Sequence, residues 1–170
     1  MSYVNKNLME GEEIVYRGKI HWLIFVPGAI GLALGLLLLL LRGEVTAYFS
    51  NLLDITADLT YLTVAIALVV LLPSAIKFLK ALIFRLSTEL VITNKRVVAK
   101  FGFIRRSTTE LNHSKVESFN VEQNILNRIL DSGTVVINGT GHIRTPIPNI
   151  DSPLEFRLKA MEAIDRYHSS

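Results

Sequence analysis

From Ile20 to Leu41 the chain runs 22 residues without a formally charged side chain, and this run limits what the rest can be. As an α-helix it extends about 33 Å, enough to cross a hydrocarbon layer about 30 Å thick. Fourteen of its residues are Leu, Ile, Phe or Val. Each gains about 0.3–0.6 kcal/mol near the bilayer centre, which together outweighs His21, Pro27 and the glycines. A buried core helix is the alternative, but a chain of 170 residues has little other protein to surround one. Nineteen polar and mixed residues precede the run and no small-residue cleavage pattern follows it. It therefore reads as an anchor and not as a removable leader.

A second apolar stretch runs from Tyr61 to Ile76 and continues through Lys77, Lys80 and Phe84. Lys77 and Lys80 are three apart on one helical face, where long stems reach the headgroup layer, and Arg85 extends that basic margin. The alternative is a helix lying on the membrane surface, but Val64–Leu72 is apolar all round. Pro73 is expected to kink this helix. The sequence thus predicts two transmembrane helices, at 20–41 and 61–84, inside a hairpin covering 20–85.

Lysine and arginine set the orientation. Lys6, Arg17 and Lys19 precede the first span, and Lys77, Lys80, Arg85, Lys95 and Arg96 gather at or beyond the end of the second. The 42–60 connection carries Arg42 with Glu44, Asp54 and Asp58. That bias puts both termini in the cytoplasm and the connection outside, as expected of a multi-pass protein of a cytoplasmic membrane. Trp22, Tyr48 and Tyr61 suit interfacial anchoring. Gly28, Gly31 and Gly35 form a small-residue ridge with a GxxxG match, serving either packing within the hairpin or a homo-oligomer.

After Arg85 the period shortens. Glu89–Thr93 and Arg96–Phe101 read as strands joined by Asn94-Lys95, followed by strands at 104–111 and 115–122. Asn124–Leu130 has helical spacing, and 134–138 pairs with 142–147 across Gly139-Thr140-Gly141, with Pro146 and Pro148 expected to end the pairing. Ser152-Pro153-Leu154-Glu155 reads as a helix start capped by Ser152. Leu154, Leu158, Met161 and Ile164 read as the apolar stripe of that helix, which runs to about Tyr167. The fold class is a membrane α-helical hairpin plus an α+β domain at 86–170, an antiparallel sandwich or barrel with a C-terminal capping helix. Residues 1–19 form an N-terminal cytoplasmic segment.

Several ordered blocks carry a family resemblance: Glu-Leu-Val-Ile-Thr-Asn-Lys-Arg (89–96), Gly-Phe-Ile-Arg-Arg (102–106), Leu-Asn-His-Ser-Lys-Val-Glu-Ser-Phe-Asn-Val-Glu-Gln (111–123), Ile-Leu-Asn-Arg-Ile-Leu-Asp-Ser-Gly-Thr-Val (125–135) and the N-terminal block 10–22. Together they resemble the bacterial pleckstrin-homology-like domain of small membrane proteins. The resemblance implies about seven strands and a C-terminal helix. Six strands follow the spans, so residues 12–17 are expected to return and pair with the sheet.

Few enzyme classes survive. The chain has no cysteine, and no metalloprotease, nucleophile-elbow, P-loop or dinucleotide pattern occurs. His21, His113, His142 and His168 lack metal-ligand spacing, and Asp54 and Asp58 read as loop acids. No enzyme activity, metal or cofactor is expected. A net charge of +3 also argues against a nucleic-acid binder. Lys95, Arg96, Arg105 and Arg106 are candidate contacts for anionic lipid headgroups or a partner, the plain alternative being charges that protect a sheet edge. The function expected is a membrane-anchored adaptor that binds a protein partner at the cytoplasmic face. The alternatives are a headgroup sensor and an accessory subunit for transport or envelope stress.

Overall fold

The computed structural model describes residues 3–53, 59–102, 107–141 and 143–169. These form two compact units, one of residues 24–82 and one combining 1–23 with 83–170.

In the helical unit, α2 (Val26–Leu40) follows a short 3-10 turn (Trp22–Phe25), and α3 (Arg42–Leu53) occupies most of the expected loop. Leu41 is the break between them. The second apolar helix, α4 (Thr60–Ser87), is 28 residues long and continues through Pro73. Trp22–Leu40 and α4 are both long and apolar enough to cross a membrane. The glycine ridge of α2 faces α4. A Cβ at Gly28 would lie 2.9 Å from the Phe78 backbone nitrogen, one at Gly31 would collide with Ser74 Oγ, and one at Gly35 would meet Leu71 at 2.5 Å. Partner numbers fall as the glycine numbers rise, so the two helices run antiparallel. Ser74 donates its hydroxyl proton to the Val70 carbonyl at 2.6 Å, which keeps the polar group satisfied where the glycine passes.

Among its described residues the other unit is a seven-stranded sandwich. One sheet has the order β1 (Ile14–Gly18), β2 (Glu89–Thr93), β3 (Arg96–Phe101), β4 (Ser107–Asn112). The second has the order β5 (Val116–Glu122), β6 (Ser132–Gly139), β7 (Ile143–Asp151). β1 pairs antiparallel with β2, Gly18 opposite Leu90. The apolar helices are thus an insertion between the first two strands of the sandwich.

β2 and β3 are apolar on both faces because both are covered. Leu90, Ile92, Val97 and Ala99 face the main core with Val135, Ile137, Ile147 and Phe156. Val91 and Val98 pack under Val4 of a one-turn helix, α1 (Tyr3–Lys6), which the sequence pattern did not reveal. The Glu89 carboxylate accepts the Tyr3 and Val4 N–H groups at 2.9 and 3.3 Å and so caps α1.

Three expectations fail for physical reasons. Pro146 does not end the pairing: it sits opposite Val136 within β7, an edge strand whose outward side needs no donor. One extra residue at Pro148–Asn149, with Asn149 at φ 56°, forms a bulge, after which β7 meets the chain before α2. There His21 N–H donates to Asn149 O at 2.7 Å and Asp151 N–H to Lys19 O at 2.9 Å, closing one corner of the sandwich. Ser152 does not cap α6 (Pro153–Ser169) with its side chain. Its hydroxyl donates to Asp131 Oδ2 at 2.7 Å instead, and Ser152 itself has φ 48°. Finally, α6 buries Phe156, Ala160 and Ala163, leaving Leu154, Leu158 and Met161 about half exposed. Small alanines let the helix lie close to the sheet, and Phe156 supplies the bulk, edge-on to Tyr16.

Candidate functional site

The basic residues singled out in the sequence do not share one surface. The β2–β3 turn lies at the far end of β2 from Glu89, where the chain returns from α4. Lys95 tips this turn and donates to Glu10 O at 2.6 Å. Arg96 follows it in the chain. It is 6% exposed, and its guanidinium is held inside the domain. Nε donates to Glu12 Oε1 at 2.9 Å, one terminal nitrogen to Glu12 Oε2 at 3.0 Å and to Asn7 O at 2.8 Å, and the other pairs with Glu110. Thr93 adds its hydroxyl to Glu12 Oε1 at 2.7 Å. Four of the five guanidinium N–H groups are thus used inside the domain, and Arg96 ties residues 7–12 to the sheet. Arg105 and Arg106 lie outside the described residues, as do Asp54, Asp58 and His142.

Glu12 went unnoticed in the sequence because an acidic run near a terminus normally stays solvated. Its environment overrides that. Burial alone would raise its pKa, but the hydrogen bonds from Arg96, the Met9 N–H and Thr93 outweigh burial and hold the carboxyl below the usual range. The nearest sequence signal is Gly11, whose φ of 68° turns the chain so that the next side chain enters the domain.

Two grooves flank α6. One, of about 570 Å³, is lined by Glu13, Ile14, Asn94, Lys95, Arg166 and Tyr167. Behind Tyr167 stands His113, fully buried, its Nε2 2.8 Å from Thr93 O and its ring 5.7 Å from the tyrosine. Burial pushes the His113 pKa down, and the nearby His168 adds to this, so the imidazole is neutral at pH 7.

The other groove, of about 210 Å³, lies between β5 and α6, lined by Val116, Ser118, Phe119, Met161, Ile164 and Asp165. β5 pairs only with β6 among the described residues, so its outer edge is open along this groove. Phe119 turns into the core while Glu117, Ser118 and Asn120 are exposed. An open strand edge beside a half-apolar helix can accept an extended peptide by adding a strand.

The remaining sequence candidates are placed as follows. Trp22 is 53% exposed, and Lys77, Lys80 and Arg85 lie on exposed positions of α4. Gly28, Gly31 and Gly35 are spent on α4 of the same chain. Among the described residues no group of three or more His, Asp or Glu is arranged to hold a metal.

A family model for the bacterial PH domain matches residues 22–163, a stretch that includes both apolar helices and strands β2 to β7. Comparison with curated proteins and with solved structures returns no match. PH domains are in general binding modules and not catalysts. With a seven-stranded sandwich capped by a C-terminal helix and a match over most of its length, the chain belongs to the bacterial PH domain family.

Proposed function

We propose that this protein is a membrane-anchored, non-enzymatic adaptor that presents its PH-like domain at the cytoplasmic face and binds an extended segment of a protein partner along β5 and α6. The open edge of β5 carries this reading. It offers main-chain donors and acceptors beside the exposed Met161, and shallow side-chain positions for selectivity. Two helices able to span a bilayer and a basic margin at Lys77, Lys80 and Arg85 support anchoring with both termini inside.

Headgroup binding is the second reading. Lys95 donates to Glu10 O and Arg96 is internal, so Arg105 and Arg106 are the residues that would carry it.

The test places a photoreactive residue at Ser118 of the full-length protein in its own membrane. The adaptor reading expects a discrete protein adduct that disappears when Asn120→Pro blocks strand addition. Adducts with lipid alone, or none above those from the same probe at Thr140, would exclude it. Neutralising Arg105 and Arg106 should leave the adduct unchanged.

A further inference from the structure

The five-residue helix α5 (Ile125–Ile129), between β5 and β6, has its faces the wrong way round for a soluble domain. Ile125, Leu126 and Ile129 are 82%, 70% and 73% exposed, and Leu130 beside them is 37% exposed. Asn127 and the neighbouring Gln123 face inward, while Arg128 is exposed. Asn127 Oδ1 accepts the Ser132 hydroxyl at 3.3 Å, and Gln123, just before the helix, donates to Ser132 O at 2.7 Å. A surface helix ordinarily buries its apolar stripe and wets the polar one. Here four adjacent aliphatic side chains point away from the protein, held there by hydrogen bonds on the opposite side. Such a patch marks a contact surface.

Its location in the sandwich names the contact. The chain leaves for the spans through Lys19–His21, a segment paired with Asn149–Asp151 of β7. Asp151 in turn pairs with Ser132, the first residue of β6, and Ser152 N–H donates to Asp131 O at 2.9 Å just after α5. Lys19, Asp151 and Ser132 are therefore successive positions across neighbouring strands, about 10 Å from first to last. α5 ends at Ile129, three residues before Ser132 of that row. The exposed aliphatic cluster and the point where the polypeptide departs for the bilayer are at the same end of the domain.

We propose that α5 is a second membrane contact: Ile125, Leu126, Ile129 and Leu130 enter the interfacial layer of the leaflet next to which the domain is tethered, with Arg128 at the headgroups. This rests on the anchored reading above and goes beyond it. The domain would not swing freely on its two connections but would be pinned at a third point, fixing which way the β5–α6 groove faces. A shallow aliphatic wedge with a basic residue suits the interface, where an apolar face sinks about 5–10 Å.

Because the chain has no cysteine, single cysteines can report depth without background. Full-length variants Leu126→Cys, Ile129→Cys, Leu34→Cys and Thr140→Cys, each carrying an environment-sensitive fluorophore, are reconstituted in phosphatidylethanolamine–phosphatidylglycerol vesicles containing nitroxide-labelled lipids. Probes at 126 and 129 should be quenched by a shallow nitroxide roughly threefold more than the probe at 140, on the remote β6–β7 turn, and should keep this at 1 M salt. The probe at 34 should be quenched best by a deep nitroxide. If 126 and 129 are not quenched while 34 is, the wedge is refuted and anchoring survives. If 34 is also silent, the anchoring reading itself has failed. Emission at 126 that ignores nitroxide lipids but changes with protein-to-lipid ratio would assign α5 to a second copy and overturn the proposal.

Discussion

Arg96 shows how one residue can trade an apparent surface role for an internal one. Its neighbour Lys95 and its position after a turn suggest an exposed cation, yet four of its five N–H groups go to Glu12, Glu110 and the Asn7 carbonyl. Removing one partner strands a buried charge, so Arg96→Ala or Glu12→Gln should each cost about 3–5 kcal/mol. The double change Glu12→Leu with Arg96→Met should recover much of that. Thermal unfolding of the detergent-solubilised protein measures both. Acid should act on the same region in two steps. The folded pKa of His113 lies below its ordinary value, so the unfolded chain takes up a proton first and stability falls as pH drops below about 6.5. Glu12, also lowered, contributes stability above its ordinary value of about 4.5 and loses it as pH falls through the folded pKa. His113→Gln should flatten the melting temperature between pH 7 and pH 5 relative to the parent protein. An unchanged slope would show that His113 is not the titrating group. Neither His113 nor Glu12 could be picked from the sequence, because both depend on partners roughly twenty to eighty positions away.

At the scale of elements, local signals were sufficient where one face of a segment decides its fate. The β2–β3 turn, α5 and the start of α6 read directly from turn residues and spacing. The signals misled where tertiary packing chose between two apolar faces. In α6 the larger side chains form the visible stripe, but the sheet prefers Phe156 with two alanines because close approach buries more of the strand surface. Ala160→Leu should therefore destabilise by about 1–3 kcal/mol through overpacking, whereas Leu158→Ser should change stability by less than about 0.5 kcal/mol. Equal effects in thermal melts would contradict the assignment of faces. The glycine ridge was legible as a close approach, but its partner was not; α4 of the same chain fills it. Gly31→Ala should weaken helix packing, and Ser74→Gly should restore part of the loss because Ser74 is what the new methyl group meets. If Gly31→Ala instead changed oligomer size with no rescue by Ser74→Gly, the ridge would be serving association between copies.

For the molecule as a whole, what matters is where the apolar helices enter the fold. They interrupt a PH-like sandwich between β1 and β2, which are neighbours in one sheet, so both connections start from adjacent strand ends. A domain interrupted this way cannot be separated from the apolar helices without losing a strand. A fragment starting at Ser87 lacks β1, α1 and Glu12, leaving Arg96 unpaired and the outer face of β2 and β3 bare. The sequence carried the two long apolar helices and the need for a seventh strand, because hydropathy and strand number are both one-dimensional quantities. It did not carry the buried ion pair that makes the returning segment part of the core, nor the outward face of α5. The sidedness of the membrane is the measurement on which all of this turns. Asn51→Cys and Thr140→Cys variants, each exposed in the structure, are treated with a membrane-impermeant maleimide in intact bacterial cells. The account predicts labelling at 51 from outside and at 140 only after permeabilisation. Labelling at 140 in intact cells, or release of the protein from membranes by carbonate, would contradict it.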